Sequence, residues 1–195
     1  VLVCCAATPV LAEGDPLTQF RRLGEDIDKL ALASYFAEVT EKTVQEGEVC
    51  PDILSLLLNC LYALDTLDKP LEQVKAVFQL RLLTLTGLAP LLDTCVVCGN
   101  PQPEEPRLHL LQGVLHCAAC RTQVGDGVSM PLSPAALAAA RYIVAGEAKK
   151  LFSFSLTPEA CKQLDQVTEA FLMTQQERGF RTLDYYKQLR RQSFS

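Results

Sequence analysis

The chain has 195 residues, 49% of them hydrophobic, with 18 Lys and Arg against 23 Asp and Glu and a net charge of −5. A chain of this length buries roughly 70% of its unfolded surface, so the expectation is a soluble globular protein with one substantial core or two modest ones. The acidic balance excludes a protein that simply coats nucleic acid, and no run reaches the ~18 uncharged apolar residues of a membrane-spanning helix. The charge is unevenly spread. Residues 1–120 hold 8 Lys and Arg against 16 Asp and Glu, a balance of −8, whereas residues 121–195 hold 10 against 7, a balance of +3. An anionic partner is expected to meet the C-terminal part first.

The apolar start "VLVCCAATPVLAEG" has no basic segment ahead of it and no initiator Met. It reads as the interior of a longer protein and not as a secretory signal, which opens on positive charge. Phe20, Leu23, Ile27 and Leu30 then recur at steps of three and four, predicting an amphipathic helix over residues 18 to about 45 with Arg21, Arg22, Glu25 and Asp26 on its wet side. "PDILSLLLNCLYALDTL" follows, opened by Pro51 and apolar on nearly all faces, as expected of a central buried helix. A third helix is predicted from Pro70 to Gly87, with the stripe Leu71, Val74, Val77, Phe78, Leu82 and Leu85.

After a Pro-rich loop, "NPQPEEP" at 100–106, "RLHLL" and "VLHC" read as two short strands joined through Gln112 and Gly113, a hairpin. Ser133 as cap and Pro134 at the first position open a fourth helix that ends near Gly146. Thr157 and Pro158 repeat the device for a fifth, running to Gly179 at most, and a sixth is expected from Thr182 to about Arg191.

Nine cysteines in a chain of this size, odd in number, point to a reducing compartment and not to a disulfide scaffold. Cys4, Cys5, Cys50, Cys60 and Cys161 lie among Leu, Ala and Val and read as small core residues. The other four form two Cys-x-x-Cys pairs, Cys95 with Cys98 and Cys117 with Cys120, separated by 18 residues. That spacing belongs to zinc sites. Two residues between thiolates let one tight turn aim both sulfurs at one ion, and Gly99 lets the backbone curl back toward the first pair. Four cysteine ligands close a tetrahedral site and leave no position for substrate water, so the zinc is expected to brace the fold and not to catalyse. His116 could replace one cysteine, and His109 reads as a partly exposed strand residue.

No GxxxxGK[ST], no GxGxxG after a strand, no HExxH and no GxSxG occurs, and both histidines sit inside the cysteine segment. The chain is therefore not expected to be an enzyme.

"VFQLRLLTLTGLAPLLDTCVVCG", "LHLLQGVLHCAAC" and "ERGFRTLDYYKQL" resemble the C-terminal part of the bacterial recombination mediator family RecO, and "FRRLGEDIDKLALASYFAEVTEKT" resembles that family's first helix. The resemblance covers almost the whole chain. It implies a mainly α fold: a helical bundle with an inserted four-cysteine zinc ribbon, and an N-terminal OB-fold absent or reduced to a remnant. The expected division is 1–16 as remnant or linker, 17–91 as the first part of the helical domain, 92–130 as the ribbon and 131–195 as the second helical part. Gln112 stands where the family usually has glycine, so the hairpin turn is expected to differ.

The resemblance also implies a cytoplasmic, nucleoid-associated DNA repair protein that assists recombinase loading and strand annealing. The implied partners are RecR, single-strand DNA-binding protein, and single- and double-stranded DNA, the DNA contact being weak without the OB-fold. Arg178, Arg181, Lys187, Arg190 and Arg191, with Phe180, Tyr185 and Tyr186 interleaved, form a phosphate-facing strip in this reading, since cations neutralise phosphates and rings stack on unpaired bases. In the competing reading Tyr185 and Leu189 pack inward and the cations only coat the helix. The protein would then be a zinc-stabilised interaction module without nucleic-acid affinity.

Overall fold

The computed structural model describes residue 20, residues 22–45, residue 47 and residues 49–192. The expected OB-fold remnant at 1–16 lies outside them. The described chain is mainly helical, and it falls into two compact units, residues up to 68 with those from 180 onward, and residues 69–179.

The first unit holds α1 (Ile27–Thr43), α2 (Pro51–Thr66) and α6 (Arg181–Gln192). α1 begins nine residues later than the periodicity suggested. Residues 22–25 form a turn, and the Asp26 side chain takes up the amides of Asp28 and Lys29 at 2.9 and 3.2 Å, so the cap decides the start. Its core face also differs: Ala31, Leu32, Tyr35, Phe36 and Val39 are buried, while Ile27 and Leu30 are exposed. α2 is not the all-round buried helix expected. Ile53, Leu56, Cys60, Ala63 and Leu64 face the core, and Leu54, Leu58 and Tyr62 face out.

α6 brings no cap of its own. Glu38 of α1 supplies it, accepting from the Thr182 amide at 3.0 Å, the Thr182 hydroxyl and the Arg181 amide at 3.4 Å. Burial alone would push this carboxyl up, but the Thr182 and Arg181 hydrogen bonds, with Lys42 nearby, hold it below the ordinary glutamate value. Phe180 stands edge-on to Tyr35 at 5.8 Å, and Arg190 pairs with Asp28 at 3.4 Å.

The second unit holds α3 (Leu71–Leu85), three strands, α4 (Pro134–Ala145) and α5 (Pro158–Gln176). α3 is the helix enclosed all round: every residue from Gln73 to Leu80 is buried. It ends as its sequence dictates. Gly87 takes φ +81, and the Leu88 amide reaches back to the Leu83 carbonyl at 2.8 Å. Enclosure buries a charge as well. Lys75 Nζ lies 2.6 Å from Glu169 Oε2 and 3.1 Å from Asp165 Oδ1 of α5, and Gln79 Oε1 accepts from the Thr168 hydroxyl at 2.9 Å. Burial raises the Asp165 carboxyl to about 6 against the opposing pull of Lys75.

The sheet has β1 (Arg107–His109), β2 (Val114–His116) and β3 (Ser129–Pro131) in the order β2-β1-β3, both pairs antiparallel. The hairpin is the one expected, with Leu108 opposite Leu115. β3 was not foreseen: Gly125, Gly127 and Pro131 punctuate it and leave no alternation to read.

Candidate metal centre

The first knuckle is a turn closed by the Gly99 amide on the Cys95 carbonyl at 2.8 Å, with Gly99 at φ +72. It is stitched to the sheet side by the Val96 amide on Leu115 O at 2.8 Å and to its own loop by the Cys95 amide on Asn100 O at 2.8 Å. The second knuckle starts where β2 ends. Its Cys120 amide reaches Cys117 O at 3.1 Å, and the Cys117 amide points at Cys95 Sγ, 3.4 Å away. The antiparallel pairing of β1 with β2 therefore carries the second pair back to the first.

Among the described residues, the four sulfurs of Cys95, Cys98, Cys117 and Cys120 lie within 4.8 Å of one another. Cys98 and Cys117 stand 3.7 Å apart. Four thiolates about 2.3 Å from a tetrahedral ion would be separated by roughly 3.8 Å, so the sulfurs fit one metal ion. Their acidities tell the same story. Burial by itself would raise the Cys95 thiol, but the amides of Cys98, Cys117 and Val97 bring it down to about 6. Burial, then the neighbouring sulfurs, push Cys117 up to about 12 and raise Cys120 too. One thiolate is stabilised by the backbone, and ionising the others beside it calls for a cation. Cys95 and Cys117 are buried, Cys120 is half-buried and Cys98 is exposed.

Neither histidine joins the cluster. His116 donates from Nδ1 to Cys117 O at 2.8 Å and accepts from the Ser129 hydroxyl at Nε2, 2.9 Å, so both ring nitrogens are committed. His109, expected to be partly exposed, is fully buried. It accepts from the Gln112 amide at Nδ1 and donates from Nε2 to Asp126 O. A Cβ on Gly127 would come within 2.7 Å of its ring, so glycine there is what lets the loop close over it. Gln112 has a task of its own, donating to Val124 O at 3.0 Å.

Three side chains that the sequence reading missed fix this segment to the helices. Arg141 of α4 donates to Leu92 O at 2.8 Å, Asp93 O at 2.9 Å and Pro101 O at 2.8 Å, gripping both flanks of the first knuckle. Gln175 of α5 donates to Leu110 O and Leu111 O. The Phe171 ring lies 3.3 Å from where a Gly113 Cβ would be, a tight contact, and the φ of +64 at Gly113 is what favours glycine at the hairpin tip.

The family described as "Recombination protein O C terminal" matches residues 24–184 of this chain. The chain belongs to the RecO family. It is 27% identical over 177 residues to the DNA repair protein RecO of Acetivibrio thermocellus, covering 91% of this chain and 70% of that protein. It is 28% identical over 190 residues to the RecO of Desulfatibacillum aliphaticivorans, covering 95% and 73%. With the RecO of Anaeromyxobacter sp. (strain K) the identity is 32% over 154 residues, covering 78% and 59%.

The cationic strip of this RecO-family chain is divided by the fold. Arg178 is exposed and belongs to the second unit, while Arg181, Lys187, Arg190 and Arg191 belong to α6 in the first. Arg181 and Arg191 are exposed, Lys187 is half-buried and Arg190 is engaged with Asp28. Of the interleaved rings, Phe180 and Tyr186 are core residues. Tyr185, which the competing reading packs inward, is half exposed; its neighbour Tyr186 takes the inward place.

Proposed function

We propose that this chain is the helical and zinc-ribbon part of a non-catalytic DNA repair mediator, acting in recombinase loading and strand annealing in the cytoplasm near the nucleoid. Family membership over residues 24–184 is the observation that carries the reading. The ribbon occupies residues 92–130 between the two helical parts, 17–91 and 131–195. Cys95, Cys98, Cys117 and Cys120 would hold a structural zinc ion, whose contribution when bound is a cross-link between the two knuckles. The partners in this reading are RecR, single-strand DNA-binding protein, and single- and double-stranded DNA. Among the described residues no helix is long and apolar enough to cross a membrane.

In this reading DNA contact falls on α6 to the exposed Arg181 and Arg191, with Tyr185 also exposed, and in the second unit to the exposed Arg178; Lys187 is half-buried and Arg190 is engaged with Asp28. Three such cations give sequence-independent binding to single strands whose log K falls with log salt at a slope no steeper than about 2, at ~0.7 for each phosphate contact. A second reading, an interaction module without nucleic-acid affinity, is favoured by the burial of Phe180 and Tyr186 and by the pairing of Arg190 with Asp28.

A filter-binding titration across salt, together with pull-downs by RecR and by single-strand DNA-binding protein, separates the two. Arg181→Glu with Arg191→Glu should abolish strand binding and leave the pull-downs intact. An unchanged affinity would leave the strip a solvated surface, and failure of both pull-downs by folded protein would remove the mediator reading.

A further inference from the structure

Among the described residues Cys98 is the exposed cysteine: Cys60, Cys95, Cys117 and Cys161 are buried, and Cys50 and Cys120 are half-buried. Gly99 and Asn100, which follow it in the first knuckle, are exposed as well. A reagent in solution therefore meets one sulfur of the metal centre before the other three. That sulfur already lies against the second knuckle, 3.7 Å from Cys117 Sγ. A disulfide holds its sulfurs about 2.05 Å apart, so the pair has about 1.7 Å left to close, a step that rotation about the side-chain bonds can supply.

We propose that Cys98 is a site of oxidation by hydroperoxides, and that Cys117 captures the oxidised sulfur as a disulfide that joins the two knuckles in place of the metal. The proposal rests on the zinc reading above, because metal ligation keeps the four sulfurs as thiolates, the form that attacks a peroxide. The Cys98 thiolate attacks one peroxide oxygen: the S–O bond forms, the O–O bond breaks, and the departing oxygen takes a proton and leaves as water or an alcohol. The Cys117 thiolate then attacks the sulfenic sulfur: the S–S bond forms, the S–O bond breaks, and the hydroxide released takes a second proton and becomes water. The two thiolates lose two electrons and the peroxide gains them. Cys95 and Cys120 stay reduced, and a centre that has lost two of its four ligands gives up its metal.

Cys95 is the poorer captor. Its sulfur is buried and accepts the Cys117 amide at 3.4 Å, a bond that moving toward Cys98 would break. The backbone of the first knuckle is also held without any sulfur, by the Val96 amide on Leu115 O at 2.8 Å and by Arg141 on Leu92 O, Asp93 O and Pro101 O. These bonds outlast the metal, so the new covalent link spans the gap the ion had bridged and the ribbon stays closed.

The test starts from protein whose zinc content has been measured, treated with hydrogen peroxide while a chromogenic chelator records metal release. Trypsin cutting after Arg81, Arg107 and Arg121 puts Cys95 and Cys98 on one peptide and Cys117 and Cys120 on another. Mass alone then tells a bond across the knuckles from one within a knuckle, and fragmentation identifies the sulfurs. One Cys98–Cys117 disulfide for each zinc released is expected, reversed by dithiothreitol with added zinc. A disulfide within either knuckle, a linkage through other cysteines, or zinc retained under peroxide would overturn the inference and leave the metal centre standing; protein that binds no zinc would remove both. Cys98→His supplies a second arm, since imidazole is itself a zinc ligand. Peroxide should release zinc from that loaded variant at least about tenfold more slowly, and from loaded Cys120→His within about twofold of the original rate. An unchanged rate in Cys98→His, or equal slowing in both variants, would overturn the assignment of Cys98.

Discussion

Arg141 is the side chain through which α4 holds the first knuckle, and replacing it with Leu keeps the aliphatic stem while deleting every donor. Three hydrogen bonds go, to Leu92 O, Asp93 O and Pro101 O. The bond to Leu92 O is partly buried and the other two are exposed, so we assign about 1 kcal/mol to the first and about 0.5 kcal/mol to each of the others. The sum, about 2 kcal/mol, should fall on local opening of the knuckle more than on the helices, because all three acceptors belong to the segment flanking Cys95. A change of this size multiplies the open population ~30-fold. Amide hydrogen exchange reads it directly: the Cys95 and Val96 amides, bonded to Asn100 O and Leu115 O, should exchange ~30-fold faster, while those in α3 keep their protection. If the Cys95 and Val96 amides exchange within twofold of their original rates in folded Arg141→Leu, the reasoning fails.

Protein purified under reducing conditions should contain about one equivalent of zinc, and Cys98→Ser should weaken the metal and loosen the ribbon while the helices persist; elemental analysis and circular dichroism check both. Glu38→Gln should destabilise the first unit by about 1 kcal/mol in urea, as loss of a helix cap does. Because the Glu38 carboxyl is depressed in the folded chain, its contribution is present above the ordinary value of 4.5 and is lost as pH falls through the folded value, so the variant should show a flatter acid limb. Asp165 behaves oppositely: raised from 3.8 to about 6, it favours folding at low pH and loses that contribution as pH rises through about 6, and Asp165→Asn should flatten that interval in pH-dependent urea melts. Lys75→Met leaves two carboxylates without their ammonium and should cost about 3–5 kcal/mol in the same melts.

Local chemistry was legible in the sequence and enclosure was not. The cysteine cluster could be read because a knuckle is made within five residues, Cys95 to Gly99. The starts of α4 and α5 could be read because Ser133 and Thr157 do their capping three residues on, accepting from the Ala136 and Ala160 amides. α2 was misread because a helix apolar on every side has no pattern to say which side is covered. α3 shows the converse: Lys75 and Gln79 look like a wet face in sequence, and only Glu169, Asp165 and Thr168, some ninety residues away, make their burial tolerable. Arg141 left no signal at all, since its partners are carbonyl oxygens, which every residue has.

The first unit is assembled from two stretches of chain that are far apart in sequence. α1 is made early, yet its cap-giving Glu38, its Tyr35 ring and its Asp28 carboxylate all wait for partners beyond Gly179. During synthesis at roughly 5–20 residues per second, residues 69–179 occupy the ribosome for about ten seconds while that surface of α1 stands open. The second unit, continuous in sequence, can close in the meantime. Phe180 and α6 are therefore a latch, and a nascent chain halted before Phe180 would present an unfinished first unit to chaperones and proteases.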